Sequence, residues 1–578
     1  MRASLALAGL LASLWTVVAA GNIYGVNLGS FLLIEPWMMS NDWAAMGGDN
    51  PDSCGDCSKC VLSEYQLVKK LGQSKANAVF AQHWNTWFNE TDAALLVANG
   101  LNSVRIPVGY WLVEPLVNRA TEYYPQGGIL QLIRALDLIR AQDPTFSAQI
   151  DLHALPGVST ASQQFAGYCT NNVQFYTPAN YKRALQFAAV MTAVSHLHPS
   201  FQSVQFLHGI NEPLMDSSQT PGLQQYYVDF VRIVRAVEVA LGVPCSGVDL
   251  GGALAKNLSM SSQTNPPSLA TVLASVPDLS TKLGGVSAVT SIMQQVFQQI
   301  SLSTSGDAAP LFAPAASASA SPSSSVVSSL SSAPSKTSAP PTTKPPTGKP
   351  TGKPTSVSTS TKKSSSKKRS TKTKKAKARP THHPEHRQRR HHRLALLARR
   401  GQDLLAPRRV KPISAFQGYG QCLTTVFMSK DWQWGGNTPA NAAVAKIGPQ
   451  MYDQHKYYSF GGVTGNDYND YMNTACTLNV TAQLAASNNL PIVMGEWWIA
   501  TGFQATASQL RNFGDAQKLR WKQVGLGAWY YWSFKITSPT VGDAIGSLSR
   551  DYQRSVAAGL LTKDPSAVFN SSICAGRQ

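Results

Sequence analysis

The chain has 578 residues, 43% of them hydrophobic and 14% charged, with a net charge of +19. That length suits a large buried core, or two or three average domains. The charge is local: residues 334–412 hold 23 Lys and Arg against Glu385 and Asp403, leaving −2 for the rest, which excludes a uniformly basic body built to bind polyanions.

In chain order, the first segment is an export signal. Arg2, the apolar run Leu5–Val18 and the small pair Ala19 and Ala20 predict a signal peptide over residues 1–20. A membrane anchor is the alternative, but the run is short for a span of about 20 residues. No other stretch is long and apolar enough to cross a bilayer, and the last residues lack the apolar tail of a lipid anchor. The expected location is secreted, extracellular or in a cell wall.

Residues 21–300 are mixed, aromatic and periodic. NIYGVNLG, NSVRIPVGYW, AQIDLHALPG and SVQFLHGINEP each read as a short buried strand entering a loop. Amphipathic helical stretches lie between them, at Ile129–Arg140, Tyr181–Ser195 and 222–241. Residues 301–412 change character, from a Ser/Thr/Pro tract to a Lys/Arg/His-rich run. So few apolar side chains cannot offset the entropy of ordering, so this insert is expected to be disordered. From residue 413 to 578 the strand pattern resumes with QCLTTVFM, IGPQMYDQHKYYSF, PIVMGEWW and GAWYYWSFK. Strand–helix alternation predicts a parallel sheet, and eight parallel strands suit closure into a (β/α)8 TIM barrel of the α/β class. The insert then lies between the fourth helix and the fifth strand, on the face opposite the strand ends that carry chemistry.

The eight cysteines, Cys54, Cys57, Cys60, Cys169, Cys245, Cys422, Cys476 and Cys574, suit up to four disulfides in an exported chain. CGDCSKC at residues 54–60 offers three zinc ligands as the alternative, without a fourth at close spacing. Sequons at Asn89, Asn257, Asn479 and Asn570 are glycosylation candidates.

Two strand ends carry acids, Glu212 after Asn211 and Glu496 after Gly495. A carboxylate at the C-terminal end of a barrel strand points into the mouth. Hydrolysis of a glycosidic bond needs two such groups, one to protonate the leaving oxygen and one to attack the sugar carbon or activate water. Asn211 is placed to hold the hydroxyl beside the reacting carbon.

These residues resemble glycoside hydrolase family five, also called cellulase family A, and within it the fungal exo-β-1,3-glucanase (glucan 1,3-β-glucosidase) branch. The resemblance rests on GVNLGSFLLIEPW, on His83–Trp111, and on DLHALPG, INEP, YDQHKYYSF, MGEWW and WYYWSFK in family order; it covers nearly all of the globular chain and none of the insert. It implies a retaining mechanism with Glu212 as acid/base and Glu496 as nucleophile. It further implies that Arg105 keeps Glu496 ionised, and that His153, His455 and Tyr457 orient the catalytic pair and the reacting sugar. Trp532 is implied as a platform under that sugar and Glu35 as a ligand for its hydroxyls. Glu212 is read as lacking a cationic partner. The implied partner is β-glucan, cleaved at β-1,3 linkages from the non-reducing end, with β-1,6-glucan, another β-glucoside or an inactive wall-binding barrel as alternatives. No cofactor and no metal are implied. A monomer is expected, with the basic insert contacting anionic wall polymers rather than nucleic acid. Gly29-Ser30-Phe31, Ala154-Leu155 and Phe534 depart from the branch's pattern and are expected near the sugar sites, where they bear on linkage preference.

Overall fold

The computed structural model describes residues 22–256, 258, 266–315, 421–433, 447–460, 464–485, 489–538 and 547–577. The expected signal peptide, the Asn257 sequon, residues 316–412 of the expected insert and residues 413–420 of the expected second barrel segment lie outside them.

Eight parallel strands close into a barrel in sequence order. They are β1 (Ile23–Asn27), β2 (Ser103–Gly109), β3 (Ser147–Ala154), β4 (Val204–His208), β5 (Thr424–Met428), β6 (Gln450–His455), β7 (Ile492–Trp497) and β8 (Ala528–Tyr531). β8 pairs back onto β1, so no edge is left open. Seven fall within the expected segments, and β3 begins one residue before its own. They read as apolar runs because helices cover one face and barrel side chains the other; every residue of β2, β3 and β7 is buried. The helices Gly128–Gln142, Pro178–Leu197 and Leu223–Ala240 follow β2, β3 and β4; the first two run slightly past the apolar periodicity and the third falls one residue short of it at each end. Ala507–Gln523 joins β7 to β8, its first turn closed by a reciprocal Thr506–Gln509 capping box.

The barrel interior is layered by the two-residue period of its strands. At the bottom, Ile23, Phe206, Val426, Val493, Ala528 and Tyr530 form an apolar plug. Gly25 admits the Tyr530 ring, which would lie 2.3 Å from a Cβ at that position. Above the plug the inward residues become polar: Arg105, Asp151, His208 and Asp453, all fully buried. One step higher, at the strand ends, stand His153 and His455.

Beyond Ala240, helical structure continues past residue 300 to Ala309–Phe312. This segment is tied to Leu223–Ala240 by Arg232–Asp278 at 2.6 Å and by a Lys282–Asp229 pair. The described chain resumes at residue 421, at the N-terminal end of β5. There Cys422 is bonded to Cys245. The Leu423 N–H donates to Glu238 Oε1 at 2.6 Å, and Arg235 Nη2 donates to the Leu423 carbonyl at 2.8 Å. Cys54–Cys60, Cys57–Cys169 and Cys476–Cys574 complete four disulfides and leave no free thiol, so CGDCSKC is cross-linked rather than poised for zinc. No helix among the described residues is long and apolar enough to cross a membrane.

Candidate active site

Glu212 and Glu496 reach the C-terminal mouth of the barrel by different backbone devices. On β7, Val493 faces inward, so strict alternation would aim Gly495 inward and Glu496 outward. The pairing with β6 skips here, with Gln454 opposite Met494 but His455 opposite Glu496. This irregularity turns Glu496 into the mouth, a common use of a bulge. Gly495 permits it, because a Cβ there would lie 2.0 Å from Asp453 Oδ1, which accepts the Gly495 N–H at 2.7 Å. Glu212 instead takes φ 39°, a left-handed conformation costly for a residue with a Cβ. Thr160 Oγ1 helps to hold it, donating to the Glu212 carbonyl at 2.8 Å.

The two carboxylates open into one cavity of about 660 Å³. Single oxygens of Glu212 and Glu496 and a ring nitrogen of His455 lie within 4.8 Å of one another. His455 Nδ1 stands 2.6 Å from Glu212 Oε1 and 3.5 Å from Glu496 Oε2. Burial lowers the proton affinity of His455, but Glu496, Asp453 and Glu212 outweigh it and push its pKa to about 10. Glu212 therefore does have a cationic partner, contrary to the sequence expectation, which had no means to place the end of β6 against the end of β4. The trio also has the donor types of a metal site. His455 Nδ1 bridges the two acids here, and holding a metal would require that nitrogen to give up its proton.

Beneath the cavity, Arg105 is fully buried and binds in a fork. Nη1 donates to Glu496 Oε1 and to Asn27 Oδ1, each at 2.8 Å, and Nη2 donates to Asn211 Oδ1 at 2.8 Å. Asp151 Oδ2 lies 3.0 Å from Nη2. Burial raises the pKa of Glu496, with the His455 and Arg105 charges opposing it. Tyr457 Oη donates to Glu496 Oε2 at 2.7 Å, so both oxygens of this carboxylate have partners. His153 Nδ1 stands 2.6 Å from Asp151 Oδ2, and its Nε2 lies 3.1 Å from Asn211 Nδ2. That pattern assigns the Nδ1–H tautomer. It leaves Asn211 Nδ2, at the cavity wall, a second hydrogen to donate.

Eight of the nine expected residues line the cavity, and Arg105 lies under them. Trp532 stacks on the His153 ring with centroids 5.8 Å apart. Glu35 accepts from Trp37 Nε1 at 2.8 Å, and burial lifts its pKa to about 7 against that bond. The departures from the resembled pattern are not themselves among the cavity-lining residues. Phe31 and Phe534 both pack against Phe88, and Ser30 Oγ caps the Glu35 turn, accepting its N–H at 3.0 Å. Asp151 and Asp453 were missed, although each precedes an expected histidine by two and so shares its inward face. Trp37, Trp432, Trp498 and Arg550 also line the cavity, with Arg550 stacked 4.7 Å over the Trp498 ring. They come from loops whose approach no local pattern announces.

Fold and site together define an α/β-barrel with a bridged carboxylate pair at its strand ends, an arrangement suited to splitting glycosidic bonds. No protein-family model matches the chain. It is 38% identical over 224 residues to the probable glucan endo-1,6-β-glucosidase B of Neosartorya fischeri, covering 39% of this chain and 53% of that protein. It is 39% identical over 226 residues to the glucan endo-1,6-β-glucosidase B of Emericella nidulans, covering 39% and 52%. To the glucan 1,3-β-glucosidase of Schwanniomyces occidentalis it is 38% identical over 135 residues, covering 23% and 29%. The matches thus span about half the length of the first two relatives.

Proposed function

We propose that this chain is a retaining β-glucan hydrolase acting on β-1,6-linked glucan. One observation carries the reading: two carboxylate oxygens within 4.8 Å of each other, one acid bonded to Arg105 and Tyr457, the other to His455. Retaining enzymes hold their carboxyl groups about 5–5.5 Å apart, whereas inverting ones need about 6.5–9.5 Å for an intervening water. The β-1,6 linkage is favoured by the longer matches to endo-1,6-glucosidases. A β-1,3 linkage is the second reading, supported by the shorter match to a 1,3-glucosidase and by the motif resemblance.

In this mechanism Glu496 attacks the anomeric carbon while Glu212 protonates the departing oxygen. The C–O bond breaks and a glycosyl ester forms on Glu496. Arg105 and Tyr457 hold the attacking carboxylate in line, and Asn211 donates to the neighbouring sugar hydroxyl. Esterification removes the negative charge of Glu496 beside Glu212. Glu212 then takes a proton from water as the oxygen attacks the anomeric carbon, the bond from that carbon to Glu496 breaks, and the sugar leaves with its original configuration. Residues 21–300 and 413–578 serve as one catalytic barrel in an exported chain, interrupted by residues 301–412.

The test is turnover of a linear β-1,6-glucan against a β-1,3-glucan, with the anomer of the first product followed by NMR. A β-anomer and a preference for the β-1,6 polymer are expected; an initial α-anomer refutes retention, and no turnover of either polymer leaves a binding barrel. Glu496→Ala should fold and keep less than about 1% of activity, because covalent catalysis is lost. Azide should restore turnover with an inverted glycosyl azide.

A further inference from the structure

Lys456 has no part in the mechanism above, yet it is a cation buried beside it. It follows His455 at the end of β6 and is 4% exposed. Its Nζ donates to the Asp431 carbonyl at 2.7 Å and to the Gln433 carbonyl at 2.5 Å. The carbonyl between them, of Trp432, accepts the His455 backbone N–H at 2.7 Å. Three successive carbonyls of the chain leaving β5 are thus held by one dipeptide of β6. Burying an ammonium is costly unless its donors are engaged. Burial lowers the Lys456 pKa to about 7, against the Asp431 charge. Plain packing would be met at less cost by Met or Leu, so the lysine is retained for its donors.

The segment that it holds faces the reacting centre. Trp432 sits edge-on to the His455 ring, centroids 5.8 Å apart, and both Trp432 and Gln433 line the cavity. Trp432 Nε1 is buried without a hydrogen-bond partner among the described residues. Pro213, Leu214 and Met215, which run on from Glu212, line the same cavity. Glu212 is bonded to His455, against which Trp432 packs, so the group protonated by Glu212 departs beside this segment.

We propose that Lys456 is a positioning residue that fixes Trp432 and Gln433 as one wall of the site for the departing sugar, so that this wall selects which glucan leaving groups are accepted. The ligand class is a glucose unit on the reducing-end side of the scissile bond. It would meet the indole ring as an apolar surface and Gln433 as a hydrogen-bonding group. The proposal rests on the hydrolase reading.

The test compares the full chain with Lys456→Met, which keeps the bulk and loses the donors, and with Lys456→Arg. Substrates are β-1,6- and β-1,3-gluco-oligosaccharides and 4-nitrophenyl β-glucoside, whose leaving group is not a sugar. The Met variant should lose about 10-fold more kcat/KM on the oligosaccharides than on the aryl glucoside, mostly through KM, a split of about 1.4 kcal/mol. The Arg variant should recover most of it. Backbone amides of residues 430–433 should exchange hydrogen faster in the Met variant, while those of β7 do not change. Equal losses on both substrate types, or unchanged exchange at 430–433, overturn the proposal. Trp432→Ala, with Lys456 intact, should show the same split and decides the matter if the Met variant does not fold; its absence there is equally fatal. A wild-type chain that cleaves none of these substrates refutes the hydrolase reading instead, and the exchange measurement still decides whether Lys456 anchors the segment.

Discussion

Arg105 is enclosed by Asp151 at 3.0 Å, Asp453 at 3.7 Å and Glu496 at 2.8 Å, with none of its surface in water. Its fork serves Asn27, Asn211 and Glu496 at once, which a lysine's single nitrogen cannot do. Arg105→Lys keeps the charge and loses the alignment. Its kcat should fall by about 10²-fold, the scale of an ångström of misplacement, with the far-ultraviolet circular dichroism spectrum unchanged. A second buried group acts on stability instead. Glu64 accepts the Ile34 N–H at 2.8 Å, next to Glu35, and burial lifts its pKa to about 8 against that bond and one from Trp111. The folded chain therefore holds this proton from pH 4.5, where the unfolded chain releases it, up to about pH 8. Folding takes up a proton across that window, so stability falls as pH rises through it, by up to about 1.4 kcal/mol per pH unit. Glu35 adds the same sign up to about pH 7. Glu64→Gln cannot titrate, so its Tm should gain on the wild type as pH rises from 4.5 to 8; a constant difference would show that Glu64 is ionised throughout.

At the level of elements, β7 shows what alternation conveys and what it does not. Eight strands were legible because burial on both faces writes apolar runs, and the two acids because each follows such a run directly. The inward period also carried Asp151 with His153 and Asp453 with His455, a signal present in DLHALPG and YDQHKYYSF but not used. The irregular pairing at Gly495 was illegible, since it is made by contact with Asp453 from another strand. So was the His455–Glu212 bridge, which joins residues 243 positions apart. The loop aromatics Trp37, Trp432 and Trp498 depend wholly on tertiary approach. Gly495→Ala tests the pairing directly. Its Cβ would collide with Asp453 Oδ1, so the backbone must shift and re-aim Glu496. Activity should drop at least about 10-fold and Tm should fall, both measured on purified protein; a fully active Ala variant would mean that β7 reaches the same geometry without the glycine.

Across the whole molecule, charge and catalysis are segregated along the chain. Residues 334–412 carry 23 basic residues, while the remaining sequence, with its acid-lined cavity, is close to neutral. The disulfides divide in the same way. Cys54–Cys60 and Cys57–Cys169 lie wholly before the basic stretch and Cys476–Cys574 wholly after it. Cys245–Cys422 alone joins the two sides, where Arg235 and Glu238 also grip Leu423. Strands β1–β4 and β5–β8 are therefore fastened to each other by a bond that does not run through the peptide backbone between residues 316 and 421. Scission there, for instance after the dibasic pairs Lys368-Arg369 or Arg399-Arg400, should yield a two-chain protein with its barrel and activity retained. On denaturing gels it should migrate as one species without reductant and as two with it, and Cys245→Ser should let the two chains separate on denaturation alone.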